Sequence, residues 1–254
     1  MEIDLLRIDK DKRENIKDIV TDEIPLTIYL NDEELITLLC SPDNLKELSV
    51  GFFFSSGLIK SIDDVESVVI DKERFSSYVA LKNKEISSEF TFKRLYTPGC
   101  GKGVIFYNAL DLMNKEVISN DLKVSNQQIR ELMKAFDKAS ASFKETGGVH
   151  SAGFADAKDI VVFKEDIGRH NAIDKIIGEA LLKGLDIKNM IVLTSGRISS
   201  EIINKVAKIK SPILASRSAP TDQGVKLAEN MHLTLIGFVR GDRMNVYTAA
   251  ERII

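Results

Sequence analysis

Hydrophobic and polar residues alternate along the first third of the chain as they do in half-buried β-strands. Positions 24–30 and 36–40 alternate on either side of Asn31-Asp32, which predicts a β-hairpin. Ser41-Pro42-Asp43 then predicts a helix with Pro at its first position, an apolar stripe along one side and an end at Gly57. Further alternation predicts strands at 65–70, 78–81 and 90–92. These elements predict a small α+β domain over residues 1–95.

A helix is also predicted in the middle of the chain. Ser125 and Gln128 have the spacing of a capping box, and apolar residues keep helical spacing as far as Phe143. Gly147-Gly148 is expected to end this helix.

Strand-like and helix-like segments alternate in the second half. The predicted strands are 160–163, 190–193, 212–215 and 233–239, and the predicted helices are 171–182, 199–209 and 222–230. This order is typical of a layered α/β domain with a mostly parallel or mixed sheet. We therefore predict an α/β domain over 125–254, connected to the first domain by residues 96–124.

Composition narrows the classes of function. The chain of 254 residues has 35 Lys and Arg against 38 Asp and Glu, a net charge of −3, which argues against general nucleic-acid binding. Two cysteines are too few for a disulfide framework or a four-cysteine zinc site, and no apolar segment has the length of a membrane span or an export signal. We expect a cytoplasmic protein whose anion site, if present, is local.

Arginine follows each predicted strand of the second half. The residues are Arg169, Arg197, Arg217, Arg240 and Arg243. The first four are next to a glycine or serine, and Arg243 is two positions after Gly241. Because ligands bind beyond the carboxyl ends of strands in open α/β sheets, these loops are expected to share one crevice. Guanidinium groups bind phosphate through paired hydrogen bonds, so we predict a polyanionic ligand, a phosphate or pyrophosphate.

Alternative roles remain open for these side chains. Each arginine could instead pair with an acid such as Asp166, Asp174 or Glu201. His170 follows Arg169 at a helix start, where helix capping and ligand contact are both reasonable. His150 and His232 are expected to be structural.

The two cysteines lie in different surroundings. Cys40 ends a buried strand pattern and is expected to be an inert, small hydrophobic residue. Cys100 lies between glycines in Thr97–Gly103, and Lys102 would favour its thiolate, although a glycine hinge that happens to contain cysteine is the alternative. The chain lacks a P-loop and a G-x-S-x-G elbow, which argues against nucleotide hydrolysis and a serine nucleophile. It also lacks the zinc-deaminase signature, so no metal site is predicted.

Several segments in order resemble one family. They are TPGCGKG (97–103), EDIGRHNAIDK (165–175), SGRISSE (195–201), SRSAPT (216–221) and LIGFVRGDRMNVY (235–247), with SPDNLKELSVGF (41–52) in the first third. Together they resemble the formate dehydrogenase accessory sulfurtransferase family, FdhD. The resemblance covers most of the chain and is densest after Tyr96.

This resemblance implies a sulfurtransferase. Family members take sulfur from a cysteine desulfurase as a persulfide and pass it to the molybdenum or tungsten cofactor with guanine dinucleotides (Mo-bis(molybdopterin guanine dinucleotide)), for which GDP is a mimic; formate dehydrogenase then receives this cofactor. The persulfide cysteine falls on Cys100, and Gly103 replaces the second loop cysteine that many members carry. The cofactor-binding stretch falls on Phe238, Val239, Arg240, Gly241, Asp242 and Arg243.

The resemblance also implies a cytidine-deaminase-like C-terminal domain and a homodimer. Two other classes of function stay open beside sulfur transfer. The first is a non-catalytic binding module that holds and delivers the cofactor, and the second is a non-metal nucleotide enzyme on the same fold.

Overall fold

The computed structural model describes residues 1–83 and 117–254, together with the backbone of two strands at Lys93–Tyr96 and Val104–Tyr107. Cys100, Lys102 and the strand predicted at 90–92 lie outside the described residues. The predicted connecting segment 96–124 falls mostly outside them as well, so the proposed domain limits stay a prediction.

The chain begins with an antiparallel hairpin that the hydrophobic pattern does not predict. Its strands are β1 (Glu2–Asp9) and β2 (Lys12–Ile19). Alternating acidic and basic residues put opposite charges across the pair, as in the contact between Lys17 and Glu2 at 2.9 Å. The alternating charges explain why the hydrophobic pattern does not predict these strands, and they also help the strands to pair.

A four-stranded sheet follows, and its hairpin was predicted. The strands are β3 (Ile24–Leu30), β4 (Glu33–Cys40), β5 (Val65–Asp71) and β6 (Ser76–Leu81), in the order β4-β3-β6-β5. Helix α1 (Leu45–Ser55) packs with the sheet in a core that includes Leu26, Ile28, Leu48 and Phe53. β7 (Lys93–Tyr96) and β8 (Val104–Tyr107) form a separate antiparallel pair.

The predicted start of α1 at Pro42 is wrong. The helix begins at Leu45, after Asn44 in the left-handed region at φ 56°. Ser41 is engaged elsewhere: its N–H donates to Asp166 Oδ2 at 3.1 Å, and its hydroxyl accepts from the N–H of Ile167 at 3.1 Å. Ser41 thus stabilises a loop of the second sheet instead of capping its own helix.

The middle helix has the predicted capping box but is not continuous. It forms α2 (Asn126–Ala139) and α3 (Ala141–Thr146) with a break at Ser140. The hydroxyl of Ser140 donates to the carbonyl of Phe136 and lies 3.0 Å from Ser151 Oγ. Glu165 accepts from the N–H groups of Ser142 and Phe143, at 3.1 and 3.2 Å, so a carboxylate stabilises the new helix start.

The second half forms the mixed sheet that was predicted, with two further strands. Its strands are β9 (His150–Ala155), β10 (Ile160–Asp166), β11 (Ile191–Thr194), β12 (Ile213–Ser216), β13 (Thr234–Arg240) and β14 (Arg243–Thr248). The helices are α4 (Arg169–Leu182), α5 (Ser200–Lys208) and α6 (Asp222–Asn230).

The strand order is β10-β9-β11-β12-β13-β14, with β9 and β14 antiparallel to their neighbours. Strands β10 to β13 therefore all run in the same direction and end at the same edge. Buried residues fill both faces of the sheet, with α4, α5 and α6 packed on one face and α2 on the other.

The two sheets are held together through α1 and α4, which touch backbone to backbone. A Cβ atom on Gly51 would lie 1.8 Å from the carbonyl oxygen of Asp174, and one on Gly178 would lie 1.8 Å from that of Glu47. Only glycine permits so close an approach at either position.

Candidate functional site

The loops after β10, β11, β12 and β13 lie against one another at the shared strand edge. Ser218 Oγ donates to the carbonyl of Ser195 at 2.8 Å, and Ser216 Oγ donates to that of Gly196 at 2.7 Å. Arg240 Nε donates to the carbonyl of Arg217 at 2.9 Å. The short serine side chains thus bind neighbouring loops together, which positions the arginines that they carry.

A cavity of about 350 Å³ opens at this edge. Its wall includes Asp137 and Ser140 at the end of α2, His150 at the start of β9, and Arg217 and Arg240. This volume is within the range of small-molecule sites. The predicted loops contribute Ile167, Ser195, Arg217, Ser218 and Arg240, and the larger part of the wall, from the end of α2 to the start of β9, was not predicted.

The structure puts the predicted arginines in three different situations. Arg169 lies in the first turn of α4 against Gly196, and its buried Nε has no hydrogen-bond partner among the residues described. Arg197 is exposed. Arg217 pairs with Asp137 through Nη1 and Oδ1 at 3.0 Å. An ion pair with an acid therefore accounts for Arg217, whereas no ion pair or hydrogen bond to a described residue accounts for the Nε of Arg169.

The turn between β13 and β14 presents two cations around one aromatic ring. The guanidinium carbons of Arg240 and Arg243 lie 5.8 and 5.7 Å from the ring centroid of Phe238. Phe238 has a φ of 53°, and its N–H donates to the carbonyl of Ser218 at 3.1 Å. Both arginines are exposed at the strand edge, where an anion can reach them.

The other residues of this stretch contribute differently. The Val239 side chain is buried in the core, so this residue offers a ligand only its backbone. Gly241 has a φ of 56° in the turn. Asp242 is fully exposed and lies 3.5 Å from Arg130, so it opposes rather than assists anion binding at the turn.

His150 lines the cavity, although it was expected to be structural. Its Nδ1 lies 3.3 Å from Ser195 Oγ, which also accepts from the N–H of Ser151 at 3.0 Å. Burial and the nearby Arg169 lower the pKa of His150, against the opposite effect of Asp166. The imidazole is thereby held in its neutral form, in which it both donates and accepts hydrogen bonds.

The other two histidines lie outside the cavity wall as described. His170 Nε2 lies 3.2 Å from Glu201 Oε2, a contact that links the first turns of α4 and α5. Burial lowers the pKa of His170 to about 3, with a further lowering from Lys205 and Arg169. His232 pairs with Glu251 at 2.7 Å.

Part of segment 165–175 belongs to the core rather than to the site. Asp166 and Lys175 pair at 2.6 Å with both side chains fully buried. Asp166 also accepts from Asn171 Nδ2 and the N–H of Gly168, and Lys175 donates to the carbonyl of Ser41. These contacts join α4 to the segment before α1.

Cys40 lies in the same region. Its side chain is fully buried, and burial raises the pKa of its thiol to about 12. The expected burial of this cysteine is confirmed, and a thiol held protonated is a poor nucleophile.

Asp137 and His150 are the residues of the cavity wall that the sequence did not indicate as ligand contacts. Neither belongs to a segment that resembles the family, and they meet only because β9 and the end of α2 reach the same edge as the arginine loops. Among residues 1–83 and 117–254, no group of three or more His, Cys, Asp and Glu side chains is arranged to hold a metal ion. No helix in these ranges is both long and apolar enough to cross a bilayer.

Comparison with known proteins identifies the family. The model of the FdhD/NarQ family matches residues 21–254. The chain belongs to this family. Among relatives in the FdhD/NarQ family, the sulfur carrier protein FdhD of Listeria innocua is 41% identical over 94% of this chain and 93% of its own length. That of Bacillus subtilis is 38% identical over 98% and 96%.

A solved structure has the same fold. It is described as a formate dehydrogenase accessory protein from Desulfotalea psychrophila, and it matches with a TM-score of 0.83 and 26% identity. The match covers 100% of this chain and 99% of the other. The mixed α/β architecture is thus that of an FdhD/NarQ family protein. The further likeness to cytidine deaminases stays a prediction.

Proposed function

We propose that this chain is a sulfurtransferase that acts in formate dehydrogenase maturation. It receives sulfur as a persulfide on Cys100 from a cysteine desulfurase and passes it to a molybdenum or tungsten cofactor that carries guanine dinucleotides. The observation that carries the proposal is the identity of about 40% with sulfur carrier proteins over nearly the whole chain. The cytoplasmic location and the homodimer implied by the resemblance are part of the same proposal.

The cavity at the strand edge fits the nucleotide part of such a substrate. Arg240 and Arg243 are exposed beside it, and guanidinium groups bind phosphate oxygens in pairs. The buried Nε of Arg169 has no partner among the residues described, and an anion at the α4 N-terminus would supply one. Neutral His150 and the serine hydroxyls add uncharged hydrogen bonds.

The residues of the site act by binding and orienting the substrate. Cations at the loop ends hold the pyrophosphate groups, so that the metal end of the cofactor is kept in one place for sulfur transfer. The bound cofactor supplies the metal that accepts the sulfur. Gly196 leaves room for the Arg169 side chain, since a Cβ there would lie 2.9 Å from Arg169 Cβ.

Loading of the carrier needs no external oxidant. The Cys100 thiolate attacks the terminal sulfur of the donor persulfide and forms a new S–S bond. The S–S bond of the donor breaks, and the donor cysteine leaves as a thiolate. Lys102, two residues along the chain, would favour the thiolate form of Cys100.

Mass spectrometry after incubation with a cysteine desulfurase and cysteine tests the carrier role. We expect one added sulfur on Cys100 and none on Cys40, and Cys100→Ala should abolish formate dehydrogenase maturation while retaining GDP binding. The Cys40→Ala variant serves as the matched control. Normal maturation by Cys100→Ala would favour the non-catalytic binding module instead.

A further inference from the structure

The wall of the cavity contains one group that does not suit a phosphate. Asp137 lies in the last turn of α2 and lines the cavity together with Arg217 and Arg240. A carboxylate repels phosphate oxygens, so its presence among cations and hydroxyls indicates that part of the ligand carries hydrogen-bond donors.

Arg217 forms a hydrogen bond with only one of the two oxygens of this carboxylate. Its Nη1 donates to Oδ1 of Asp137 at 3.0 Å, and Oδ2 has no hydrogen bond to any residue that the structure describes. The Asp137 side chain keeps 38% of its surface exposed. One carboxylate oxygen is thus fixed in place by Arg217, and the other is accessible from the cavity.

Guanine is the nucleobase whose donors match a carboxylate. Its N1–H and its 2-amino group are adjacent donors on one edge. Oδ2 of Asp137 can accept one of them, and Oδ1 can accept the other through the lone pair that its bond with Arg217 leaves, as in the paired bonds between Arg and carboxylates. Adenine and cytosine present an amino group beside a ring acceptor, which a carboxylate would repel. Uracil has a single ring N–H between two carbonyl oxygens.

We propose that Asp137 is the residue that selects guanine over other bases, with Arg217 holding the carboxylate in the orientation that this requires. The inference rests on the proposed function, since it assigns the base end of the same nucleotide whose phosphates the arginines hold. The base would lie toward the α2–α3 junction, and the phosphates toward the β13–β14 turn.

The cavity has further features that suit a flat ring at this end. Phe143 lines the cavity beside Ser140, and its side chain is 44% exposed. The backbone of Gly147 and Gly148 also lines it, with no side chain to obstruct a planar group. An aromatic face beside a carboxylate is a common way to combine stacking with hydrogen-bond recognition of a base.

Calorimetry with GDP, XDP, IDP and ADP on wild type and on Asp137→Asn tests this assignment. Asparagine replaces one acceptor by a donor, so it mismatches the 2-amino group of guanine and matches the 2-carbonyl of xanthine. We expect Asp137→Asn to bind GDP about 10- to 100-fold more weakly, the range for one bidentate base contact, and to gain affinity for XDP. Glu131→Gln, an exposed change on the same helix, should leave all four affinities unchanged.

The outcomes separate this inference from the proposed function. If Asp137→Asn lost affinity for all four nucleotides equally and gained none for XDP, Asp137 would only position Arg217. If Asp137→Asn bound GDP as tightly as wild type, contact between Asp137 and the base would be ruled out. In either case the guanine-nucleotide site itself would stand. Failure of wild type to bind any of the nucleotides would overturn both.

IDP provides a test without any substitution. It lacks the 2-amino group of GDP, so wild type should bind it about tenfold more weakly, equivalent to about 1.4 kcal/mol. Equal affinity for IDP and GDP would overturn the assignment even if Asp137→Asn failed to fold.

Discussion

Charged residues have different roles in two regions of the molecule, the contact between the two sheets and the sheet edge that carries the cavity. At the contact, Asp166 and Lys175 are fully buried, and each makes several hydrogen bonds in addition to their ion pair. At the edge, Arg197 and Arg243 are exposed, and the buried Nε of Arg169 has no partner among the residues described. Arg169 and Lys175 are only six positions apart in the chain.

This difference shows how to separate structural from ligand-binding charges within one motif. Buried charges must be paired and fully hydrogen-bonded if the fold is to be stable, so a complete set of partners indicates a structural role. Charged groups with unused hydrogen-bonding capacity at the end of parallel strands are free to bind a ligand. Segment 165–175 contains both kinds.

Lys175→Met should give the largest loss of stability, because it leaves Asp166 as a buried charge without its counterion. We expect the free energy of unfolding to fall by about 4 kcal/mol, measured by urea denaturation. Lys183→Met, at an exposed lysine that follows the same helix, should change it by less than about 0.5 kcal/mol. Equal effects of the two variants would remove the distinction between the contact and the surface.

Gly51→Ala should be the next most damaging, because the new methyl group would overlap the backbone of α4. The two helices would have to separate, at an expected cost of about 3 kcal/mol in the free energy of unfolding. Lys46→Ala, an exposed change on the same helix, is the control. Near-wild-type stability of Gly51→Ala would show that the crossing has room to relax.

His170 should make stability depend on pH. Because burial lowers its pKa from 6.5 to about 3, the unfolded chain binds a proton that the folded chain does not, and stability falls as the pH falls below 6.5. One such group contributes at most about 1.4 kcal/mol, or roughly 3 °C in Tm, per pH unit. Thermal unfolding at pH 6.5 and 5.5 should show this slope.

His170→Asn should reduce that slope relative to wild type. Glu201, whose pKa is raised by burial, acts in the opposite direction and is present in both proteins, so the difference between them isolates His170. Identical slopes would place the pH dependence elsewhere.

Arg240→Ala should have the smallest effect on stability, within about 0.5 kcal/mol, because the side chain is exposed and donates one hydrogen bond. Its affinity for GDP should nevertheless fall about tenfold, since hydrogen bonds to a charged phosphate are worth roughly 1.5–3 kcal/mol. Calorimetry checks the affinity and urea denaturation the stability. A loss of stability without a loss of affinity would make Arg240 a structural residue like Lys175.

Local patterns were sufficient for much of the second half. The capping box of α2, the helices predicted at 171–182 and 222–230, and the four parallel strands were predicted because their apolar spacing and turn residues are consistent along the chain. The arginine loops could also be placed at one edge, because parallel strands end on the same side.

Long-range contacts explain what could not be predicted. Ser41 bonds to a loop 125 residues away and so does not cap its own helix. The break at Ser140 depends on Ser151 and Glu165, which no local pattern connects to it. Asp137 and His150 reach the cavity for the same reason, through the order of strands rather than through their neighbours in sequence.

The break at Ser140 has a consequence for the shape of the molecule. In an uninterrupted helix Phe143 would stand seven positions after Phe136, on the same stripe, and would be drawn against the sheet. Because the helix is broken there, the Phe143 ring is partly exposed to solvent, and the cavity that it lines stays open. The Ser140 hydroxyl and the Glu165 carboxylate, which stabilise the break, thus leave room for a cavity that a continuous helix would fill.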